Sequence, residues 1–396
     1  MVSGDPVPIG RRVAYLRVRR RLSQQAFADR LGKSKSWVDK IERGVRRLER
    51  VSTIRDIAAV LGVDAATLLG REAQPAEVAE RSRGVARIRA ALSAYEMTRG
   101  RPVVSRPAVA VDRLVREVGH AWTTYQHARY PQLVEALPRL LGEVQHAYVR
   151  DPQAGRVAVV EAYRVTAALL VKLDEASLAW LAADRAMSAA TGDRVLVAAA
   201  AVQLGQVLRT AGARSVMLAA AYRIAPPDLG AGDPHELSLC GSLLVQAALM
   251  AARAGDDRAT SELLDDAADM AALVGDGHDH HRTGFGPTAV ELARTAAAVA
   301  SGNGREAVAW HEKATSRDGW RWLPVEHRAA HLIDTARAHL QTDDPTNAAR
   351  LLLQADSIAP AEVRHRPTAR KVVAQAARAP DAPGTITQLA LTLGVI

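Results

Sequence analysis

The feature that most constrains this fold is a long series of helical stretches that never gives way to a strand-like pattern. From about residue 108 to residue 396, alanine- and leucine-rich stretches are interrupted by Gly, Asp and Pro. No stretch alternates apolar and polar residues as a half-buried strand does. The pattern predicts an all-α fold for this part of the chain.

The interruptions recur along the sequence. The predicted helix ends lie at intervals of about 38 to 47 residues, at Leu173-Asp174, Ala211-Gly212, Gly255-Asp256, Gly302-Asn303 and Asp343-Asp344. LAAAYRIAP at 218–226 and LLQADSIAP at 352–360 share the spacing Leu-x-x-Ala-x-x-Ile-Ala-Pro. We therefore expect about six helix pairs, of which the first comprises residues 110–128 and 131–149.

Small residues at helix crossings, with a proline that closes the second helix, resemble the tetratricopeptide repeat in a degenerate and lengthened form. The resemblance implies an α-solenoid whose helix pairs stack into a right-handed superhelix. Its concave face is then the expected surface for a ligand or a protein partner.

The N-terminal part has a different character. In residues 22–44, LSQQAFADRLGKSKSWVDKIERG, a glycine at position 32 separates two short amphipathic segments. The apolar residues at helical spacing are Ala28, Leu31, Val38 and Ile41. The pattern predicts two short helices that meet at a turn, either as a helix-turn-helix unit or as an ordinary helical hairpin.

Polar residues mark the expected helix ends. Ser23 can cap the first helix, and Ser34 or Ser36 the second, because a serine hydroxyl accepts a free backbone N–H of the first turn. Gly32 can adopt the positive φ of a sharp turn. These signals favour the helix-turn-helix interpretation.

In such a unit the second helix enters the DNA major groove. Lys35, Ser36 and Lys40 are the candidates for base contacts, and Gln24 at the start of the first helix is a candidate for a phosphate contact. The other candidate DNA-binding residues are Ser34, Trp37, Arg43, Arg46 and Arg47. Trp37 could pack on the sugar-phosphate backbone or contact a thymine methyl group, and the arginines could contact phosphates or form a solvated charged face.

Residues 9–70 resemble the DNA-binding domain of phage repressors and Xre-type bacterial regulators, and the matching motifs are Leu22-Ser23-Gln24, Ile41-Glu42-Arg43-Gly44 and Leu61-Gly62-Val63. The resemblance implies a five-helix head whose last helix contains Leu68 and Leu69. A repressor head followed by a tetratricopeptide-like body resembles the peptide-responsive regulators of Gram-positive bacteria and a set of actinobacterial Xre-type regulators. This implies double-stranded DNA as a partner, a homodimer, a peptide or small-molecule effector, and no cofactor.

The distribution of charge agrees with this organisation. Residues 1–70 contain fifteen Lys or Arg and seven Asp or Glu, so their net charge of +8 accounts for nearly all of the +9 of the whole chain. A basic head on a near-neutral body is the electrostatic pattern of a DNA-binding module joined to a separate domain. A single cysteine excludes a disulfide framework, and we expect neither a signal peptide nor a membrane span and a protein that stays in the cytoplasm.

The expected domains are a DNA-binding domain at 1–72, a linker helix and linker at 73–107, and a helical solenoid at 108–396. The linker helix has apolar residues at coiled-coil-like spacing, namely Val78, Val85, Ile88, Leu92 and Tyr95. This stripe could form a dimer contact or pack on either domain.

The densest group of polar residues in the body is GDGHDHHRTGFGPT at 275–288. His278, His280, His281 and Arg282 are candidates for binding an anionic or peptide ligand. A metal site and a glycine-rich turn whose histidines cap neighbouring helices are the two alternatives.

Enzymatic activity is not expected, because the chain lacks a phosphate-binding GxxxxGK[ST] motif and a nucleophile elbow. The sequence predicts a sequence-specific transcriptional regulator whose helical-repeat domain senses a peptide or small molecule and mediates dimerisation. The alternative is a protein-interaction scaffold that its head tethers to DNA.

Overall fold

The computed structural model describes residues 9–20, 22–46, 48, 51–61, 63, 76–94, 109–208, 211–226 and 228–395. The chain divides into two compact units, Met1–Arg83 and Gly84–Ile396. Every regular element in the described ranges is a helix, which confirms the predicted all-α fold. The expected fifth head helix around Leu68 and Leu69, Arg47, Tyr95 of the apolar stripe and the linker that follows the linker helix, TRGRPVVSRP at 98–107, lie outside the described residues.

The described part of the smaller unit contains four complete helices. They are α1 (Ile9–Arg19), α2 (Gln24–Leu31), α3 (Lys35–Glu42) and α4 (Val51–Leu61). Their buried core consists of Val13, Phe27, Ala28, Val38, Ile54, Ile57, Ala58 and Leu61. A Cβ atom at Gly10 would lie 2.0 Å from the carbonyl oxygen of Ile41, so α1 and α3 meet with their backbones in contact.

A fifth helix, α5 (Ala76–Leu92), spans the division between the units. In its second half, Val85, Ile88 and Leu92 are buried in the core of the larger unit. A Cβ atom at Gly84 would lie 2.1 Å from Cγ1 of Val134, which shows how closely this half packs on the helical body. Packing within the chain therefore accounts for these three residues of the predicted apolar stripe.

The larger unit contains the six expected helix pairs. They are α6 (Val111–Gln126) with α7 (Tyr130–Arg150), α8 (Pro152–Lys172) with α9 (Ala176–Ala190), α10 (Arg194–Leu208) with α11 (Ala211–Ile224), α12 (Pro234–Arg253) with α13 (Asp257–Val274), α14 (Pro287–Ala300) with α15 (Gly304–Ser316), and α16 (Val325–Gln341) with α17 (Pro345–Ile358). They are followed by α18 (Pro360–Arg364), α19 (Pro367–Ala377) and α20 (Gly384–Leu393).

One predicted helix end is wrong. Ala211 and Gly212 begin α11, whereas α10 already ends at Leu208. A glycine in a helical sequence usually suggests the end of a helix, but in the first turn it interrupts few intrahelical hydrogen bonds.

The last helices of the array pack against the first. A single hydrophobic core includes Leu114 of α6, Leu169 of α8, Leu332 of α16 and Val373 of α19. In an ordinary solenoid each pair contacts only its neighbours. Here the array closes on itself, and the concave face that the sequence predicts becomes the wall of a cavity that is partly open to solvent.

By length and composition alone, α12 is the one helix in the described part of the chain that could cross a membrane. Its most apolar window is 72% buried within the chain. Cys240, near the middle of this helix, is buried, and burial raises the pKa of its thiol to about 11. The apolar composition of α12 is thus accounted for by its place in the protein core.

The close crossing of α7 and α8 gives a test of this packing. A Cβ atom at Gly155 would lie 2.7 Å from Cα of Tyr148, whereas one at Gly142 of α7 meets no atom of another element within 4 Å. We expect Gly155→Ala to lower the free energy of unfolding by about 1–3 kcal/mol through overpacking. Gly142→Ala should raise it by about 0.5–1 kcal/mol through helix propensity. Urea unfolding followed by circular dichroism would measure both, and equal stability of the two variants would contradict the described crossing.

Candidate functional site

The turn between α2 and α3 has the expected geometry. The Oγ atom of Ser23 accepts a hydrogen bond from the backbone N–H of Ala26 at 3.1 Å, and Oγ of Ser34 accepts one from Trp37 at 3.2 Å. Gly32 ends α2 in the left-handed conformation, with φ of 63°. Both predicted caps and the predicted glycine turn are therefore confirmed, and Ser34 rather than Ser36 is the cap of α3.

A buried carboxylate that the sequence analysis overlooked joins the first three helices. Arg17 of α1 donates to Glu42 of α3 from Nε at 2.6 Å and from Nη2 at 3.0 Å. Gln24 of α2 donates from Nε2 to the same carboxylate at 2.8 Å. Since a side-chain amide carries two N–H groups, Gln24 keeps one donor for a phosphate while Glu42 holds its orientation.

Lys35, Ser36 and Lys40 have exposed side chains on α3, as does Arg43 at its C-terminal end. At about 100° per residue these four positions share one side of the helix. Asp39, which the sequence analysis did not select, lies among them and forms an ion pair with Arg43 at 3.3 Å. This side of α3 is the candidate nucleic-acid interface.

The remaining candidates of the head differ in exposure. Arg46 is exposed, while Trp37 is partly buried and packs against the head core. Nζ of Lys33 lies 6.0 Å from the centroid of the Trp37 ring. One part of the indole thus has a structural role, and only its remaining surface is accessible to a partner.

The second candidate site is the central cavity of the larger unit, with a volume of about 430 Å³. Helices α6, α8, α9, α10, α12, α14, α16 and α19 and the segment before α14 contribute to its wall. Its charged and titratable lining residues are Tyr125, Lys172, Asp174, Arg253, Arg282, Glu326, His327, His331, Asp334 and Arg366. Its larger apolar residues are Trp122, Val171, Val202, Val207, Val245, Leu249, Phe285 and Leu292.

A buried charge cluster lies on the cavity wall where the first and last helices meet. Nζ of Lys172 in α8 forms ion pairs with Oε1 of Glu326 in α16 and, at 2.9 Å, with Oε1 of Glu362 in α18. The Tyr130 hydroxyl donates to Glu362, and Arg366 pairs with the other oxygen of Glu362 at 3.4 Å. One ammonium group thus forms ion pairs with carboxylates from two separate helices.

The protonation states of this cluster follow from its burial and its charges. Burial acts to raise the pKa of Glu326, but the nearby Lys172 outweighs it and lowers that pKa to about 2. Burial and the two carboxylates raise the pKa of Tyr125 and that of Tyr130 well above the usual value. At neutral pH Glu326 is therefore an anion and both phenols are hydrogen-bond donors.

The segment from Gly275 to Gly286 is held mainly by its aspartates. Asp276 accepts hydrogen bonds from the backbone N–H of Thr288 at 3.0 Å and from its hydroxyl at 2.7 Å. Asp279 accepts from Gly284 N–H at 3.1 Å and from Nε2 of Gln126 at 2.8 Å. These bonds connect the segment to α14 and α6.

A fully buried arginine supports the same segment. Nη2 of Arg164 donates to the carbonyl oxygen of His281 at 2.9 Å, and its Nε donates to Oε1 of Gln203 on the cavity wall at 2.7 Å. Glu161 pairs with the guanidinium, which also lies 5.3 Å from the Trp122 ring centroid. The segment is therefore part of the folded core of this unit.

The structure separates the four candidate ligand residues of this segment. Arg282 lines the cavity, but His278, His280 and His281 do not. The imidazoles cluster instead with His235, whose ring centroid lies 4.0 Å from that of His280. Burial and the neighbouring His235 lower the pKa of His280, and burial and Arg164 lower that of His281, which favours the neutral rings.

The described residues contain no group of three His, Cys, Asp or Glu side chains placed to hold a metal ion. The cavity residues that the sequence analysis missed include Lys172 and Glu326. Their signal was a charged residue within or beside an apolar helical stretch, as in ALLVKL at 168–173.

A comparison with known protein families supports the helix-turn-helix interpretation of the N-terminal residues. Residues 8–69 match the protein family described as "Helix-turn-helix domain". The chain carries a helix-turn-helix domain. No curated protein matches this sequence significantly.

Among solved structures, the chain is similar to PlcR of Bacillus thuringiensis in its crystal structure with the peptide PapR7 and DNA. The identity is 11%, the TM-score is 0.30, and the match covers 90% of this chain and 98% of that chain. Similarity at this level does not establish the function of this chain.

A pair of neutral histidines beside the cavity predicts a loss of stability in acid. Nδ1 of His311 lies 2.9 Å from Nε2 of His331. Burial and the neighbouring ring lower the pKa of His331 to about 3, and burial with His339 nearby lowers that of His311 to about 4. Since both pKa values lie below the unfolded value of about 6.5, the unfolded chain takes up protons first as the pH falls.

The free energy of unfolding should therefore decrease below about pH 6.5, by up to about 1.4 kcal/mol per pH unit for each proton. We expect His331→Gln to make this decrease shallower, whereas His120→Gln at an exposed position of α6 should leave it unchanged. Urea unfolding of the full chain between pH 7.5 and pH 4.5 (roughly spanning the titration) measures the slope. Equal slopes for the wild type and His331→Gln would contradict the assignment.

Proposed function

We propose that this protein is a sequence-specific DNA-binding transcriptional regulator of the Xre type, which acts in the cytoplasm. The observation that carries the proposal is the exposed side of α3, where Lys35, Ser36 and Lys40 are held outward by a capped helix-turn-helix. These side chains can reach base edges when the second helix lies in the major groove.

The electrostatics of the head support the same role. Its net charge of +8 over residues 1–70 attracts the phosphate backbone and strengthens binding at low salt. Arg43 at the C-terminal end of α3 and Arg46 beyond it are exposed and are proposed phosphate contacts, together with Gln24. Base readout and phosphate binding are thus assigned to different residues.

This division of roles gives the first test of the function. Lys35→Ala or Lys40→Ala should weaken binding to the preferred operator by about 1–3 kcal/mol and reduce sequence discrimination. Arg46→Ala should weaken binding to all sequences alike. It should also make the slope of log affinity against log salt concentration shallower by about one. Competitive binding assays at several salt concentrations measure both effects.

Lys371→Ala is the matched control, because it removes the same charge from an exposed position in α19 of the larger unit. Its operator affinity should equal that of the wild type. Full discrimination by the Lys35 and Lys40 variants would show that α3 does not read the operator.

We further propose that the larger unit senses a peptide or small molecule in its central cavity. The support is a cavity of about 430 Å³ with charged, polar and apolar walls, within the usual range of ligand pockets. A ligand controls DNA binding when it has different affinities for the DNA-competent and incompetent states. The closed array gives such a ligand contacts with both ends of the repeat series.

The active form is proposed to be a homodimer on a nearly palindromic operator, since one head contacts few bases and two heads can occupy half-sites one helical turn apart. Sedimentation of the full chain with a palindromic duplex should show two chains per duplex. A duplex with one intact half-site should bind at least about tenfold more weakly. One chain per duplex at full affinity would contradict the dimer.

A further inference from the structure

We propose that the central cavity binds a small organic molecule with an apolar body and a hydrogen-bond donor, and that this donor pairs with Oε2 of Glu326. The inference deepens the sensing role proposed above and rests on it for its biological meaning. The binding site itself is defined only by the residues that line the cavity.

The first observation is an unsatisfied acceptor. Glu326 is buried, with 3% of its surface exposed, and its Oε1 receives Lys172 Nζ and, at 3.4 Å, the Tyr125 hydroxyl. Oε2 accepts no hydrogen bond from any described residue. Nε2 of His327 approaches Oε2 to 3.4 Å but does not form a hydrogen bond with it. A buried charged acceptor without a donor is unfavourable, so a bound donor would be strongly favoured there.

The second observation is the position of this carboxylate. Glu326 lines the cavity, and Ala330, one turn later on α16, lines the same wall. Trp122, Phe285 and Leu249 contribute apolar surface to the same space. The wall thus offers one buried anionic acceptor together with apolar surface, which matches a molecule with a hydrogen-bond donor and an apolar body.

The charges of the lining define the ligand further. Lys172 and Arg366 face Glu326 and Glu362, so the cluster itself is balanced. What it lacks is a donor, since the unsatisfied atom is an acceptor oxygen. A ligand carboxylate placed at Oε2 would face a like charge, whereas an amine, an amide or an alcohol would supply the missing donor.

A second buried carboxylate provides a matched control. Oε2 of Glu291 in α14 also accepts no hydrogen bond from the described residues, and its Oε1 pairs with Arg317 at 2.8 Å. Glu291 is 4% exposed and does not line the cavity. Glu291→Gln therefore makes the same chemical change as Glu326→Gln, but away from the proposed site.

The test uses four probes that share one apolar body: phenylbutylamine, phenylbutanamide, phenylbutanol and phenylbutanoate. Calorimetry and thermal shift on the full chain should show that the amine, the amide and the alcohol each bind at least tenfold more tightly than the carboxylate. Glu326→Gln should weaken this binding at least tenfold, and Glu291→Gln should leave it unchanged. A preference for the amine over the amide would identify a protonated nitrogen as the ligand group.

Ala330→Leu keeps the ion pairs of the cluster and fills the space beside Glu326. It should abolish binding of the amine and the amide while the chain unfolds cooperatively, so the test remains decisive even where Glu326→Gln fails to fold. The inference is overturned by equal binding of the carboxylate, by wild-type binding in Ala330→Leu, or by the absence of binding of all four probes.

Operator binding separates this inference from the proposed function. Probe binding that leaves operator affinity unchanged supports the site and contradicts the sensing role. If the chain binds the amine as expected but shows no preference among DNA sequences, the result supports the ligand site and contradicts the proposed role as a sequence-specific regulator.

Discussion

The architecture of the larger unit depends on one ammonium group shared by two buried carboxylates. Lys172 comes from the second helix pair, whereas Glu326 and Glu362 come from the sixth pair and the short helix that follows it. Removal of one partner of a buried ion pair typically costs about 3–5 kcal/mol, because a charge is left without compensation. The two ends of the array cannot separate without exposing or isolating these charges. The cavity, its lining and its closure therefore depend on the same contacts.

Features of the fold that depend on neighbouring residues were predictable from the sequence. The caps at Ser23 and Ser34 and the turn at Gly32 are each decided within a few residues, and the six helix pairs follow from local breaks. The closure was not predictable, because Glu326 lies 154 residues after Lys172 and no local pattern connects them. A lysine at the end of an apolar helix is ordinarily interpreted as a solvent-exposed residue.

The candidate ligand site likewise depends on contacts between residues that are distant in sequence. Clustered histidines attracted the sequence-based assignment, yet Asp276 and Asp279 hold the segment and only Arg282 reaches the cavity. In a glycine-rich sequence, aspartates are equally consistent with exposed turn residues, so their role as acceptors for distant backbone and side-chain donors becomes visible only in the fold. The DNA-binding candidates differ, because the outward side of a short capped helix follows directly from its periodicity.

Arg164 binds the segment through the main-chain carbonyl of His281 rather than through the imidazole. His281 has a positive φ of 51°, so the site selects for backbone conformation instead of side-chain chemistry. Related sequences could therefore replace this histidine with Gly, Asn or Asp and still retain the bond to the guanidinium. Divergence at the imidazoles should be tolerated by the fold, whereas Arg164 and the acceptor Gln203 should change together.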